Sequence, residues 1–381
     1  MSHKVSSCEV LVIGGGVIGA ACARAAALRG LRVTLCEPGP DRAAASAASA
    51  GMLAAQVESG DDWLRALGVR GRDLYETLAP ALREATGIDI GFWRGGIASV
   101  AFDYLSAEQL HEAVARQRQA GLRCDWLEPA DVADRFPGAA PECHGALFAP
   151  EDGAVDPAAL TRALLADARR LGARVKRARV KRIVTAGGRA TGVATANATL
   201  HAEHVIVAAG AWSPRVAALP RPLPVEPVRG QMAAAPWPAG TPPVILYCDH
   251  GYVLPRAGEA LLGSTMERVG FNAKVTDEGL KQIRDGALRL LPALATLPWS
   301  RTWAGLRPVT SDGRPIVGPD PDVAGLWYAT GHGRNGILLA ALTGEIIGDL
   351  LARGETDVDI TPFAAARFPP SAVSRPRKAD G

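Results

Sequence analysis

Apolar residues run unbroken from Val10 to Ile13, give way to Gly14, Gly15 and Gly16, and resume as a small-residue stretch that stops at Gly30. An uninterrupted apolar run suits a strand covered on both faces, as in the middle of a parallel sheet. Glycine just past an apolar helical stretch is a C-terminal stop. A second run, "RVTLCE", ends at Glu37, so the first forty residues predict a strand–helix–strand unit. Helical periodicity then marks "LRALGVRGRDLYETLAPALREATG", "SAEQLHEAVARQRQAGL" and "PAALTRALLADARRLGARV", the last passing into a strand.

Other segments alternate or break early. Residues 43–56, "AAASAASAGMLAAQ", are small and nearly uncharged, which fits a helix on composition alone or a close-packed approach to a ligand. "GFWRGGIASVAF" and "GALFAPEDGAVDP" read as strand and turn pieces. "HVIVAAGAWSP" is a buried strand that halts at Gly210. "PVRGQMAAAP", "PPVILYCDHGYVLPRAGEALLGSTM" and "TWAGLRPVTSDGRPIVG" are short strands between turn residues and predict an antiparallel sheet. A last strand, "GLWYATG", leads into a helix expected over "NGILLAALTGEIIGDLLARG".

The expected fold class is α/β. A discontinuous Rossmann-like nucleotide domain takes residues 8–90, 155–220 and 320–360, and an antiparallel-sheet substrate domain (α+β) takes 91–154 and 221–319. The Pro- and Ala-rich tail, 361–381, is expected to be disordered.

Composition narrows the function. The chain of 381 residues is 48% apolar and 21% charged, values of a soluble globular protein, and its net charge of +3 argues for neither nucleic acid nor an anionic membrane. The six cysteines form no CxxC pair, so reduced cytosolic thiols and no metal site are expected. Lys4 with "VLVIGGGVIGAACA" imitates a signal peptide, but the strand–glycine–helix reading with its acid explains the same residues better. The basic run at 169–182 lacks aromatic residues for stacking and reads as a helix end plus a strand with one solvated face.

Gly14, Gly16 and Gly19 give GxGxxG, whose glycines let backbone N–H groups approach a pyrophosphate at a helix start; Val17 and Ile18 lie within the same turn. Glu37 can accept ribose hydroxyls and repels a 2′-phosphate. Two further strand-to-glycine stops, at Gly210 and in "ATGHGRNG", imply three crossings near one extended ligand, which favours FAD over NAD.

The segments "VIGGGVIGA", "SAGMLAA", "CDHGYVLPR" with "LLGSTME", "WAGLRPVTSDGRPIVG" and "GHGRNGILLA" together resemble the D-amino acid oxidase superfamily, and most closely its glycine oxidase branch of thiamine biosynthesis. The resemblance implies non-covalent FAD, a small zwitterionic amine such as glycine, sarcosine or a small D-amino acid, hydride transfer to flavin N5, and dioxygen as oxidant. It implies 2-oxo acid, ammonia and hydrogen peroxide as products, a cytoplasmic enzyme feeding thiazole synthesis, and a tetramer. By motif it assigns cofactor binding to Gly14, Gly15, Gly16, Glu37, Pro38, Ala45, Ser46, Ala50, Gly51, Met52 and Val180. His332, Gly333, Arg334, Asn335, Gly336, Ile337 and Leu338 would wrap the ring, with backbone N–H groups at a helix start facing its negative end. Gly333 departs from the bulkier residue expected there.

Arg307 is the expected carboxylate anchor, since a guanidinium fork matches a carboxylate with two parallel bonds. Tyr252 and Arg334 join it as substrate contacts. His250 would share the face of Tyr252 on one strand, and Met52 with Met266 would wall the ring. Without the resemblance, His250 reads as a structural histidine, Tyr252 as a core tyrosine and the methionines as core filler. No metal ligand set, membrane span or nucleic-acid partner is expected. The alternatives are a dehydrogenase of the same superfamily with another acceptor, and a flavin-binding module or part of a tRNA-modifying enzyme.

Overall fold

Strand Cys8–Ile13 is paired in parallel on both sides, with Val33–Glu37 and with Thr199–Val207. In this computed structural model, which describes residues 8–39, 43–58 and 61–368, that trio is the centre of an eight-stranded sheet. Arg174–Arg177 extends it beyond Val33–Glu37, and Leu326–Thr330 beyond Thr199–Val207, both parallel. The antiparallel strand Ile316–Pro319 closes one edge, and the hairpin of Arg182–Ala186 with Arg189–Ala194 pairs onto Thr199–Val207.

The unbroken apolar run has the cause expected of it. Val10 and Val12 point to one face, among Cys22, Ala26, Ala168 and Ile346 of the helices Val17–Leu28, Pro157–Arg170 and Ala340–Arg353. Leu11 and Ile13 point to the other, among Ile183, Val193, Val225 and Ile316. Both faces are covered, so neither tolerates a polar alternate position.

The second eight-stranded sheet runs in the spatial order Arg301–Thr310, Val225–Pro236, Glu259–Gly263, Gly251–Arg256, Ile245–Cys248, Ile97–Ala101, Gly145–Ala149, Asp125–Leu127. Its pairs are antiparallel except Ile245–Cys248 with Ile97–Ala101. One face packs on helix Asp277–Leu290 through Leu246, Val253, Leu262 and Ile283. Met232, Tyr252, Leu254 and Leu261 alternate to the opposite face, which looks towards the first sheet.

Four expectations shift. Ile316–Pro319, expected with the antiparallel sheet, pairs instead with Leu326–Thr330 of the first sheet. The C-terminal helix starts at Ala340, not at Asn335. Before it, Leu339 N–H donates to Asn335 O (2.9 Å) and Ala340 N–H to Ile337 O (3.2 Å), a tightened turn of the kind that often precedes a helix. Residues 361–368 of the expected tail form short 3₁₀ turns with Phe363 and Ala365 buried, while 369–381 lie outside the described residues. Residues 43–56 hold a four-residue helix, Ala45–Ala48, followed by the short strand Met52–Leu53. Among the described residues no helix is long and apolar enough to cross a membrane, and the six cysteines are free thiols.

Candidate active site

The first glycine turn is built around close backbone contact. Gly14 has φ +106°, and a Cβ there would lie 2.5 Å from Ala208 O, the next strand's end. A Cβ on Gly19 would lie 2.0 Å from Gly14 O, so the helix sits directly on the turn. Glu37 accepts the Gly15 N–H (2.5 Å) and the Gly39 N–H (3.2 Å), and Ser46 Oγ accepts the Val17 N–H (3.0 Å). A helix start carries N–H groups without intrahelical partners and suits a phosphate. Arg177 pairs with Glu37 in register, and with Arg179 and Lys181 it lines the same end of the cavity; this half of the basic run thus faces the turn.

The small residues at 43–51 join the two sheets. Leu306 N–H donates to Ala43 O (2.8 Å), and Trp303 Nε1 donates to Ala48 O (2.9 Å). A Cβ on Gly305 would lie 2.4 Å from Ala48 Cβ, which explains why side chains are small here. Arg256 Nη2 donates to Ala50 O and to Val155 O (2.7 Å), fixing the turn at Gly51.

Between the sheets lies a cavity of about 1290 Å³. It takes in Gly14, Gly15, Gly16, Val17, Ile18, Glu37, Pro38 and Val180 at one end, and Gly210 on the second strand stop. Ala45, Ser46, Ala50, Gly51 and Met52 line its middle; Tyr252, Arg307, His332, Gly333, Arg334, Gly336 and Ile337 line the far end. A single drug-sized ligand fits in roughly 300–1,000 Å³. A cavity of this length and size, with a Cβ-free turn beside an acid, fits an extended dinucleotide such as FAD together with a small substrate.

At the far end Arg307 is cut off from bulk water but keeps exposed surface towards the cavity. Its Nη1 donates to Thr265 O (3.0 Å) and its Nη2 to Ser264 Oγ (2.6 Å); no carboxylate among the described residues pairs with it. Burial lowers its ionisation, and Tyr252 opposes that. The guanidinium is thus a buried cation bonded only to neutral acceptors, a condition that favours an anionic ligand. Tyr252 is buried and donates to Met232 Sδ (3.1 Å). Burial pushes its hydroxyl up to about 12, with Arg307 pulling the other way, so the phenol stays a donor at neutral pH.

Gly333 N–H donates to Pro308 O (2.8 Å), which brings the last glycine stop beside Arg307. Arg334 Nη2 donates to Glu58 Oε1 (2.5 Å) and to Tyr247 Oη (3.0 Å). Burial works against the Arg334 charge, but Glu58 and Tyr247 outweigh it and hold the group above its ordinary value. His332 is buried and shares a hydrogen bond between Nε2 and Thr343 Oγ1 (3.0 Å), while its Nδ1 has no partner among the described residues. Burial pushes its ring down to about 3, so it is neutral.

Five expected residues lie outside the cavity lining. Gly19 packs on the glycine turn, Asn335 supplies the turn carbonyl, and Leu338 packs on Gly68 of helix Asp62–Asp73. His250 does not share a strand face with Tyr252: Cys248 pairs directly with Gly251, so Asp249 and His250 form the two-residue hairpin turn. His250 is exposed there and lines a separate cleft of about 110 Å³. Met266 is 51% exposed, past the end of strand Glu259–Gly263, while Thr265 beside it is buried. Sequence reasoning missed Glu58, Met232, Ser264 and Thr265. Ser264 and Thr265 stood inside the quoted "LLGSTME"; Glu58 and Met232 carry no local signal. No group of His, Cys, Asp and Glu able to hold a metal occurs among the described residues.

Residues 9–350 match a family described as DAO, FAD dependent oxidoreductase. The chain is 35% identical over 372 residues to a glycine oxidase of Geobacillus kaustophilus (strain HTA426), covering 96% of this chain and 98% of that one. It is 36% identical over 377 residues to a bifunctional protein ThiO/ThiG of Trichormus variabilis; that match takes in 97% of this chain and 56% of the relative, so the chain spans just over half its length. The crystal structure of glycine oxidase from Geobacillus kaustophilus superimposes with a TM-score of 0.89 at 35% identity, over 94% of this chain and 98% of that one.

Proposed function

Given that the chain belongs to the DAO family of FAD-dependent oxidoreductases, we propose that it oxidises glycine or a similarly small amine carrying one carboxylate. The observation that carries this reading is Arg307, a guanidinium facing the cavity with neutral acceptors only. Glycine oxidases among its relatives support the substrate class.

FAD, when bound, would supply the two-electron acceptor for the hydride and a route for that electron pair to dioxygen, with hydrogen peroxide as the product. Gly14, Gly15, Gly16, Glu37 and Ser46 would hold its nucleotide end, and Gly51, Met52, His332 and Gly333 the region nearer the substrate. The chain's own residues do the rest. Arg307 binds the substrate carboxylate through two parallel charge-assisted bonds, and the Tyr252 hydroxyl, protonated at neutral pH, adds a third donor. Met52 and Met232 exclude water from the reacting carbon. The carboxylates lining the cavity, Glu37 and Glu58, are both engaged, so the amine releases its proton to solvent rather than to a dedicated base. Water then hydrolyses the imine to 2-oxo acid and ammonia, glyoxylate in the case of glycine. This reading carries a cytoplasmic, homo-oligomeric enzyme, tetrameric by resemblance, supplying thiamine thiazole synthesis. A tRNA-modifying module is not favoured, since the full-length relatives are glycine oxidases. A dehydrogenase is separated by stoichiometry. In air, a panel of glycine, sarcosine and D-alanine should give one peroxide per amine consumed; amine oxidation without peroxide would point to another acceptor.

A further inference from the structure

Two of the guanidinium groups lining the cavity, those of Arg307 and Arg334, are in unlike states. Among the described residues Arg307 bonds only to Thr265 O and Ser264 Oγ, whereas Arg334 donates to the Glu58 carboxylate at 2.5 Å. The Glu58 side chain is 7% exposed while that of Arg334 is 43% exposed, so Glu58 presents its charge to Arg334 and the cavity rather than to bulk water. A substrate with one carboxylate takes the free cation. A second carboxylate, carried beyond the amine nitrogen, would need Arg334 and would meet a carboxylate already seated there. Resting on the substrate reading above, we propose that Glu58 determines specificity: by neutralising Arg334 it restricts the site to amines that carry a single carboxylate.

Size does not explain such a restriction. Gly333 lines the cavity beside Arg334, and a Cβ at Gly333 would have nothing nearer than Val309 Cγ2 at 4.0 Å. The space that a larger side chain would fill here stays open, so no side chain at position 333 excludes a longer substrate by bulk, and the charge of Glu58 is the feature of the site that can. The four groups also share one field: both Arg334 and Glu58 act on the ionisation of Arg307 and of Tyr252. Discrimination against a competitor by an unpaired like charge is a general route to specificity.

The test uses matched probes on the FAD-loaded protein at low ionic strength. Methylthioacetate and thiodiacetate differ by one carboxylate and carry sulfur in place of the amine, so neither is oxidised, and calorimetry gives both dissociation constants. Glu58→Gln should raise the preference for thiodiacetate over methylthioacetate by about tenfold or more. The double variant Glu58→Gln/Arg334→Gln should lose that gain, because the freed cation is gone. The kcat/KM ratio of iminodiacetate to sarcosine should move in the same sense. Should Glu58→Gln not fold, Glu58→Ser gives the same comparison. A binding ratio within about twofold of the parent, or a gain that persists in the double variant, overturns the proposal. Failure of the parent protein to oxidise any amine would instead sink the substrate reading, while the binding ratio still decides the role of Glu58.

Discussion

The Glu37 carboxylate accepts the Gly15 N–H at 2.5 Å, which ties the end of the second strand to the turn after the first. The acid therefore shapes the glycine turn, beside the ribose contact proposed for it. Glu37→Gln replaces a charge-assisted bond by a neutral one, a change worth about 1–2 kcal/mol. The dissociation constant for FAD, read from flavin fluorescence, should rise about tenfold. Unaltered FAD affinity would remove Glu37 from the cofactor site.

Arg307→Ala should cost about 2–5 kcal/mol in kcat/KM for glycine, the range for taking one partner from a desolvated charge pair. FAD content should stay at the parental level. Arg307→Lys should recover little, since an ammonium cannot reproduce the planar fork held by Thr265 O and Ser264 Oγ. Normal saturation kinetics in Arg307→Ala would place the carboxylate elsewhere.

Thr265, which accepts from Arg307, is itself held from behind. Glu267 Oε1 accepts from Thr265 Oγ1 (2.5 Å) and from Gln231 Nε2 (2.8 Å), and Glu267 Oε2 accepts from Arg229 Nη2. Burial disfavours the Glu267 charge, but Arg229, Thr265 and Gln231 together hold the carboxyl down at about 2. Glu267→Gln weakens this support without touching the substrate. It should raise KM for glycine several-fold with a smaller change in kcat, and leave bound FAD in place. An unchanged KM would show that Arg307 keeps its position without Glu267.

His332 gives stability a dependence on pH. Its ring is held neutral down to about 3 by burial, against an ordinary value of 6.5. Below 6.5 the unfolded chain takes up a proton that the folded one refuses, so stability is full above 6.5 and falls with falling pH by about 1.4 kcal/mol per unit. His332→Gln should abolish that share, reducing the loss between pH 7.5 and pH 5 by about 2 kcal/mol in urea unfolding. A pH dependence equal in parent and variant would contradict a neutral, buried His332.

Local pattern is enough to read the first strand, its glycine turn and the position of Glu37, because these determinants are neighbours in sequence. Val10 to Ile13, the glycine spacing and Glu37 sit within thirty residues, and each placement follows from strand periodicity or backbone room. The far end depends on chain crossings that periodicity does not encode. Glu58 matters because Gly333 N–H docks on Pro308 O and brings Arg334 across to it. Met232 matters because its strand places it under Tyr252. His250 and Met266 depart from their expected places because each lies just beyond a strand end. A two-residue turn takes His250 out of the strand, and Thr265 is the buried residue beside Met266. The helix starts at Ala340 rather than Asn335, since "NGILL" is apolar enough for a helix but is spent on the turn before it.

The most direct test of the whole account is anaerobic addition of glycine to the purified, FAD-loaded protein. The flavin absorbance should bleach, with one glyoxylate and one ammonia formed per flavin. Full retention of the absorbance with glycine, sarcosine and small D-amino acids alike would contradict it.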